Sequence, residues 1–405
     1  MTIPLDSLYH YIDDQFDGNA LIYRFYPHGS KNQSNLWPLR DLQPYDTIIK
    51  PIVICHDQEP LQFDWYSADA QQDYLHENFD PALHVYLQEC NLDFDTWANI
   101  YKKKILLHSE INSDQVEQYR KRFSTAYWWS HAVIARDWYR YAEVDPSVVK
   151  QPRRIKYLFN VYCRAWTGSR QYRLKFLELL NNSAVCSSTR TRFNPYDSDT
   201  HYSKYSSAEF AFEPNTAESA GSATYCASDV RSSLFDVVLE TVADQKRIML
   251  TEKILRPIAC CQPFILMAGP GSLQVLRDYG FQTFGRWIDE GYDEIEDPVM
   301  RMSAIVNAME QAKNSNIMRH SDNIFAVAEY NKRRFFSTEF LETVTNELNQ
   351  NLRAASHSAW SKRQLPCFDK SQLNLSVSNH DPVPLSTAAD LCKNYIPTNP
   401  LLWYQ

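Results

Sequence analysis

What most constrains this chain is a set of short, largely apolar runs that each stop abruptly at polar residues. "PIVICHDQEP" (51–60), "ILLHSE" (105–110), "YLFNVYCRAW" (157–166), "LFDVVLET" (234–241) and "PFILMAG" (263–269) share that plan. A run with no polar alternation offers no solvent face, so it predicts a strand covered on both sides, as in a parallel sheet. Parallel strands need long crossovers, and helical spacing lies between the runs, at Leu174, Leu177 and Leu180, and at Met302, Ile305, Val306 and Met309. "SHAVIARDWYRYA" (130–142) reads as a further strand followed by a helix start. The expected class is α/β, with ligands bound in the loops that follow the strands.

The segment "VDPSVVKQPRR" (144–154) carries two prolines and a shift to positive charge, and predicts a linker. It divides the chain into an N-terminal domain, 1–149, a C-terminal domain, 150–355, and a proline-scattered tail, 356–405, expected to wrap back on the first domain. At 405 residues there is enough chain for two cores. Two Rossmann-like domains facing across a cleft are therefore expected. No apolar run approaches the roughly 20 residues of a membrane span. The opening "MTIPLDSLYHYIDDQFDG" has neither a basic region nor an apolar signal core. Nine cysteines without a C-x-x-C pair fit free thiols in a reducing, cytoplasmic setting. A net charge of −8 excludes a global attraction to nucleic acid and leaves only a local patch to supply one.

Four constellations carry chemistry. Between Pro146 and Leu177 stand eight Lys or Arg residues and no acid. Arg164, Ser169 and Arg170 lie in the strand-to-helix loop "RAWTGSR", where forked guanidinium groups and a helix N-terminus suit a phosphate. In "ETVADQKRIMLTEKILRP" (240–257), Thr251 is a helix cap and Glu252 complements the helix dipole. Lys253 and Arg256 then fall in the first two turns, where cations oppose the dipole and a bound anion would compensate. In "CHDQEPL" (55–61), His56, Asp57 and Glu59 follow a strand over Ile52 to Cys55, and Pro60 keeps Glu59 extended, as a general base needs. In "STAYWWSHAVIARDWYRYA" (124–142), Trp128, Trp129 and Arg136 are either core or a stacking surface for an acceptor. Two D-x-D strings, 93–95 and 197–199, follow no buried strand, so no metal is expected. The chain has no G-x-x-x-x-G-K-[ST], G-x-G-x-x-G or G-x-S-x-G motif, the signatures of nucleotide hydrolysis, dinucleotide binding and serine hydrolysis.

The stretch "ETVADQKRIMLTEKILRPIACCQPFILMAGPGS" resembles the donor-site segment of the α1,3-fucosyltransferases. That family has a Phe-Glu-Asn-Ser string, then Tyr-Val-Thr-Glu-Lys opening a helix, a strand and a glycine turn. "NVYCRAWTGSRQYRLKFLELL" (160–180) resembles the same family's strand, Ser-Gly-Arg loop and helix. "DQEP" more loosely resembles its Glu-Ser-Pro. The resemblance implies a two-domain GT-B glycosyltransferase in which Arg170 contacts the donor diphosphate and Glu252 and Lys253 hold ribose and phosphate. Glu240 and Thr241 would then occupy the first string, and Glu59 would be the base. Leu250 stands in place of the family's Tyr and Thr241 in place of its Asn. The resemblance thus implies a nucleotide-diphosphate sugar, GDP- or UDP-linked, and leaves base and sugar open. The overall arrangement also resembles glycosyltransferase-like proteins of large tailed bacteriophages, whose setting is the host cytoplasm. The acceptor would be a glycan, a protein or a hydroxymethylated DNA base. The alternative is a non-catalytic binding or virion protein that keeps the fold.

Overall fold

The computed structural model describes residues 12, 15–16, 20–24, 51–61, 104–121, 123–149, 152–194, 212–214, 216, 221–243 and 246–361. Both D-x-D strings lie outside these residues, as does 362–405. The architecture is α/β with two parallel sheets. Strands β1 (Leu21–Arg24), β2 (Ile52–His56), β3 (Lys104–His108) and β4 (Ser124–Tyr127) form the first sheet in that order. Its register pairs His56 with His108, and His108 with Tyr127, so the polar ends of the runs line up along one edge. Helix α1 (Asp114–Tyr119) is capped by the Ser113 hydroxyl and connects β3 to β4; α2 (Ser130–Trp138) and the short α3 (Pro146–Val149) follow.

The second sheet runs β7-β6-β5-β8-β9, all parallel, from β5 (Tyr157–Cys163), β6 (Thr189–Phe193), β7 (Glu213–Pro214), β8 (Ser233–Leu239) and β9 (Phe264–Met267). Counted from β5 the order is third, second, first, fourth, fifth, which is compatible with a Rossmann-like sheet. The direction of winding reverses between β5 and β8. Loops diverge at such a point, leaving a crevice beyond the strand ends where ligands bind in open α/β sheets. The helices are α4 (Tyr172–Asn181), α5 (Ala227–Ser232), α6 (Glu252–Ala259), α7 (Ser272–Asp278), α8 (Pro298–Asn314), α9 (Ser321–Phe336) and α10 (Thr338–Ser361). Met302, Ile305, Val306 and Met309 are buried on α8, as their spacing predicts. Phe235 and Phe264 both meet Phe284 edge-on, at 5.5 and 5.1 Å between centroids. Each such buried ring contributes roughly 1.5–3 kcal/mol.

Two expectations change. "SHAVIA" is the start of helix α2 rather than a strand, and the strand is the preceding "STAY". Ser130 to Ala135 are all buried, so this helix turn is enclosed on every side and lacks the polar face that marks a surface helix. Helix α10 packs on β4 and β3, and the expected break at 355–356 falls inside this helix. The expected wrapping of the tail beyond it lies outside the described residues. The chain turns from α9 into α10 at Ser337, whose backbone is extended and whose hydroxyl accepts from Phe340 N at 3.1 Å.

Candidate functional site

The two β5 and β8 loops meet at the point where the second sheet reverses. After β5 comes the half-buried Arg164, then a single 3-10 turn, Gly168–Arg170, leading to α4. Gly168 has φ +58, a conformation that side chains resist. Ser169 beside it is exposed. After β8 come Glu240 and Thr241, then the Thr251 start of α6.

Thr251 caps α6 as its residue type predicts, its hydroxyl accepting from Lys253 N at 3.3 Å. Glu240 is fully buried and holds that cap in place: it accepts from Thr251 N at 3.0 Å, from Thr251 Oγ1 at 2.6 Å and from Thr241 N at 3.1 Å. Its carboxylate is spent on the start of the helix, so it supports the site from behind. Lys253 keeps its Nζ 3.0 Å from Thr241 Oγ1, 3.3 Å from Thr251 Oγ1 and 3.0 Å from Glu252 Oε1. Burial resists ionisation of Glu252, but Lys253 and His131 outweigh it and hold the carboxyl well below the usual carboxylate range. A carboxylate kept ionised beside an ammonium, at a helix start, can accept from two hydroxyls of a sugar ring.

Arg256 departs from its expected place. Helix α6 ends at Ala259, so Arg256 lies in its last turn, where a cation is favourable without any bound anion. Its guanidinium stacks 4.3 Å from the Tyr162 ring. Much of the acid-free basic stretch is also structural. Arg173 is buried and donates to the carbonyls of Ala165, Leu239 and Glu240. Arg153 donates to Val230 O, Gln262 Oε1 and Cys261 O. Lys175 pairs with Glu178. Arg164 and Arg170 are the members of the stretch that sit in the β5 loop itself.

From the first sheet, the "HDQEPL" loop reaches the same place. Its backbone is held throughout: Ser130 Oγ donates to Asp57 O at 3.0 Å, and His131 Nε2 lies 3.1 Å from Gln58 O. Leu61 N donates to Glu110 Oε1 at 2.7 Å, while Arg247 donates to Leu61 O at 2.6 Å and to Glu110 at 2.9 Å. Asp57 and His56 are buried, and burial pushes the His56 imidazole down to about 3, so it is neutral. Glu59 projects from the loop with 15% of its side chain exposed, and its Oε2 lies 3.7 Å from Arg170 Nη2. The candidate base and the candidate phosphate ligand, 111 positions apart, form an ion pair.

Most of the aromatic run is core, while Trp138 is half-buried and Tyr141 is exposed. Trp128 and Trp129 are 2% and 1% exposed. Trp129 Nε1 donates to Leu250 O at 2.8 Å, and its ring lies 4.5 Å from that of Tyr279. Arg136 donates to the carbonyls of Phe335, Phe336 and Ser337, which closes the C-terminus of α9. Neither tryptophan offers a free surface to an acceptor, and the guanidinium of Arg136 is taken up by the three carbonyls.

Sequence reasoning passed over His131, His108, Glu110 and Arg247. His131 is 8% exposed, and its Nδ1 lies 3.5 Å from Glu252 Oε2. With Trp129 and Ser130 it forms a tripeptide that ties the "HDQEPL" loop to the start of α6. His131 was hidden inside an apolar run. His108 and Glu110 had a signal, since "ILLHSE" ends like "PIVICHDQEP". Arg247 is joined to the first half also by the bridge between Ile111 and Ile248. Among the described residues, no group of three His, Cys, Asp or Glu side chains is placed to hold a metal ion, and no helix is long and apolar enough to cross a membrane. No protein-family model, no curated protein and no solved structure matches this chain.

Proposed function

We propose that this chain is a glycosyltransferase that moves a sugar from a nucleotide-diphosphate sugar to an acceptor hydroxyl, in a GT-B arrangement with the two sheets facing each other. The observation that carries the reading is convergence. The Arg164–Arg170 loop and the Thr251–Lys253 helix start flank the reversal point of the second sheet, and Glu59 of the first sheet stands 3.7 Å from Arg170. In this reading Glu252 accepts from the ribose hydroxyls, and Lys253 sits beside the phosphates. Arg164 and Arg170 stabilise the negative charge that grows on the departing diphosphate, the role that preorganised cations serve best. Glu59 takes the proton from the acceptor hydroxyl as its oxygen attacks the anomeric carbon. The new C–O bond forms on the face opposite the breaking bond, so configuration is inverted. Charge neutralisation by the chain's own cations makes the reaction independent of a divalent metal. The acceptor, whether glycan, protein or hydroxymethylated DNA base, is not specified by these groups.

The test is calorimetry with GDP and UDP, with turnover of the corresponding nucleotide sugars followed with and without excess chelator. Binding that weakens at least tenfold in Arg170→Ala, and turnover that survives the chelator, is the expected outcome. Undiminished binding in Arg170→Ala would remove the diphosphate from this loop. Binding without any turnover would leave a nucleotide-sugar binding protein in place of an enzyme.

A further inference from the structure

We infer that Glu59 has a second role: it occupies Arg170 as an internal stand-in for the donor's phosphate, so that the base is released only when a diphosphate displaces it. The inference rests on the donor-site reading above and adds to it an order of binding and a specificity filter.

The geometry supports an exchange confined to one side chain. Asp57, Gln58 and Leu61 are each held by hydrogen bonds from other elements, so the loop backbone is fixed on both sides of Glu59. Pro60 restricts the Glu59 backbone further. The exchange asks only the Glu59 side chain to turn from Arg170 toward the acceptor side. Arg170 lies in the loop of the opposite sheet, in a one-turn 3-10 segment preceding α4. The pair is partly exposed, at 21% for Arg170 and 15% for Glu59, and its 3.7 Å separation exceeds a charge-assisted hydrogen bond. Such a pair is weak enough to open, and a guanidinium prefers bidentate phosphate oxygens to a single carboxylate oxygen at this range. A diphosphate carries more charge than the carboxylate it replaces, whereas a nucleoside carries none and cannot make the exchange.

Two consequences follow. While Glu59 is engaged by Arg170 its carboxylate is not presented to the acceptor. Once the diphosphate takes Arg170, Glu59 turns to the acceptor side. Donor therefore binds before acceptor. Removing the Glu59 charge also removes a competitor for Arg170, so a variant that loses catalysis should gain donor affinity.

The experiment is calorimetry on the full chain at low salt, where partly exposed charges are least screened, using GDP, UDP, guanosine and uridine. Glu59→Gln is expected to bind the preferred diphosphate about two- to fivefold tighter than the unsubstituted chain, the size of a partly exposed ion pair. Its affinity for the matching nucleoside should be unchanged. Glu178→Gln makes the same change in net charge next to Lys175, away from Arg170, and is expected to leave both affinities alone. Melting temperature checks that Glu59→Gln is folded, and Glu59→Ser serves as the second variant. Diphosphate binding that is equal or weaker in both Glu59 variants overturns the exchange while leaving the donor site intact. Tightening of the nucleoside by the same factor also overturns it. If no nucleotide binds the unsubstituted chain or either variant, the donor-site reading falls, and the exchange falls with it.

Discussion

Along the edge of the first sheet two imidazoles, His56 and His108, are buried side by side, whereas the face of the second sheet buries carboxylates. The two sheets solve the same problem with opposite charges. Burial pushes both histidines down to about 3, and they remain neutral. On the second sheet Asp236 accepts from Asn160 at 3.0 Å, and burial pushes its carboxyl up to about 6. Asp229, 1% exposed, is instead paired with Arg190 at 3.1 Å and Arg192 at 2.9 Å. Neutralisation by losing or keeping a proton ties stability to pH, and here the two sheets respond in opposite senses. A histidine with a depressed folded value lends stability that is present above its unfolded value of about 6.5 and is lost as pH falls from there toward 3. A carboxyl with a raised folded value lends stability that is present below about 3.9 and is lost as pH rises through about 6. Between pH 7 and 5 the histidines lose about 2 kcal/mol each, while Asp236 returns about 1 kcal/mol. The first sheet should dominate, so the protein is expected to weaken in mild acid. Glu110, raised by burial against the pull of Arg247, works with Asp236 and trims that loss.

The largest expected break of this comparison comes at Arg247. Arg247→Met strands the Glu110 carboxylate at the histidine-bearing edge, and should cost about 3–5 kcal/mol at pH 7 in urea unfolding. Adding Glu110→Gln should recover part of that loss; no recovery would mean that Arg247 acts mainly through the Leu61 carbonyl. Next in size is the acid response itself. His108→Gln keeps an acceptor for Glu110 N but cannot protonate, and should remove about 2 kcal/mol of the stability lost between pH 7 and 5. An unchanged slope would show that His108 is not buried in solution. The smallest effect sharpens the second sheet's half. Asp236→Asn should flatten the stability profile between pH 4 and 6 and raise stability at pH 7 by about 1–2 kcal/mol. A variant destabilised at every pH would mean that the carboxylate, not the neutral acid, is the form the Asn160 contact requires.

Those features were unequally legible in the sequence. Strands such as Tyr157–Cys163 and Ser233–Leu239 announce themselves because a doubly covered strand is apolar along most of its length, the polar Asn160 and Asp236 within them bonding to each other. The loops after them could be named from that pattern alone. Thr251 as a cap was legible for the same local reason. The fate of an arginine was not, because an arginine that binds a ligand and one that closes a carbonyl cluster look alike until the chain is folded. Arg153 and Arg173 belong to the acid-free stretch that reads as an anion site and Arg136 to the run that reads as a stacking surface, yet each satisfies backbone carbonyls, from 8 to 201 positions away. Helix α2 reads as a strand in the sequence because its buried first turn lacks a polar face. The meeting of Glu59 with Arg170 is a long-range contact that no local pattern records.

The packing of α10 on β4 also sets a schedule for synthesis. Strand β4 ends at Tyr127, and the helix that covers it ends at Ser361. At about 5–20 residues per second, roughly 10–50 s separate the appearance of the strand from that of its cover. During that interval the second sheet can complete its own pairing, because β5 to β9 and their helices are all made in between. Strands β3 and β4 wait for this cover, which is almost the last of the described residues to leave the ribosome.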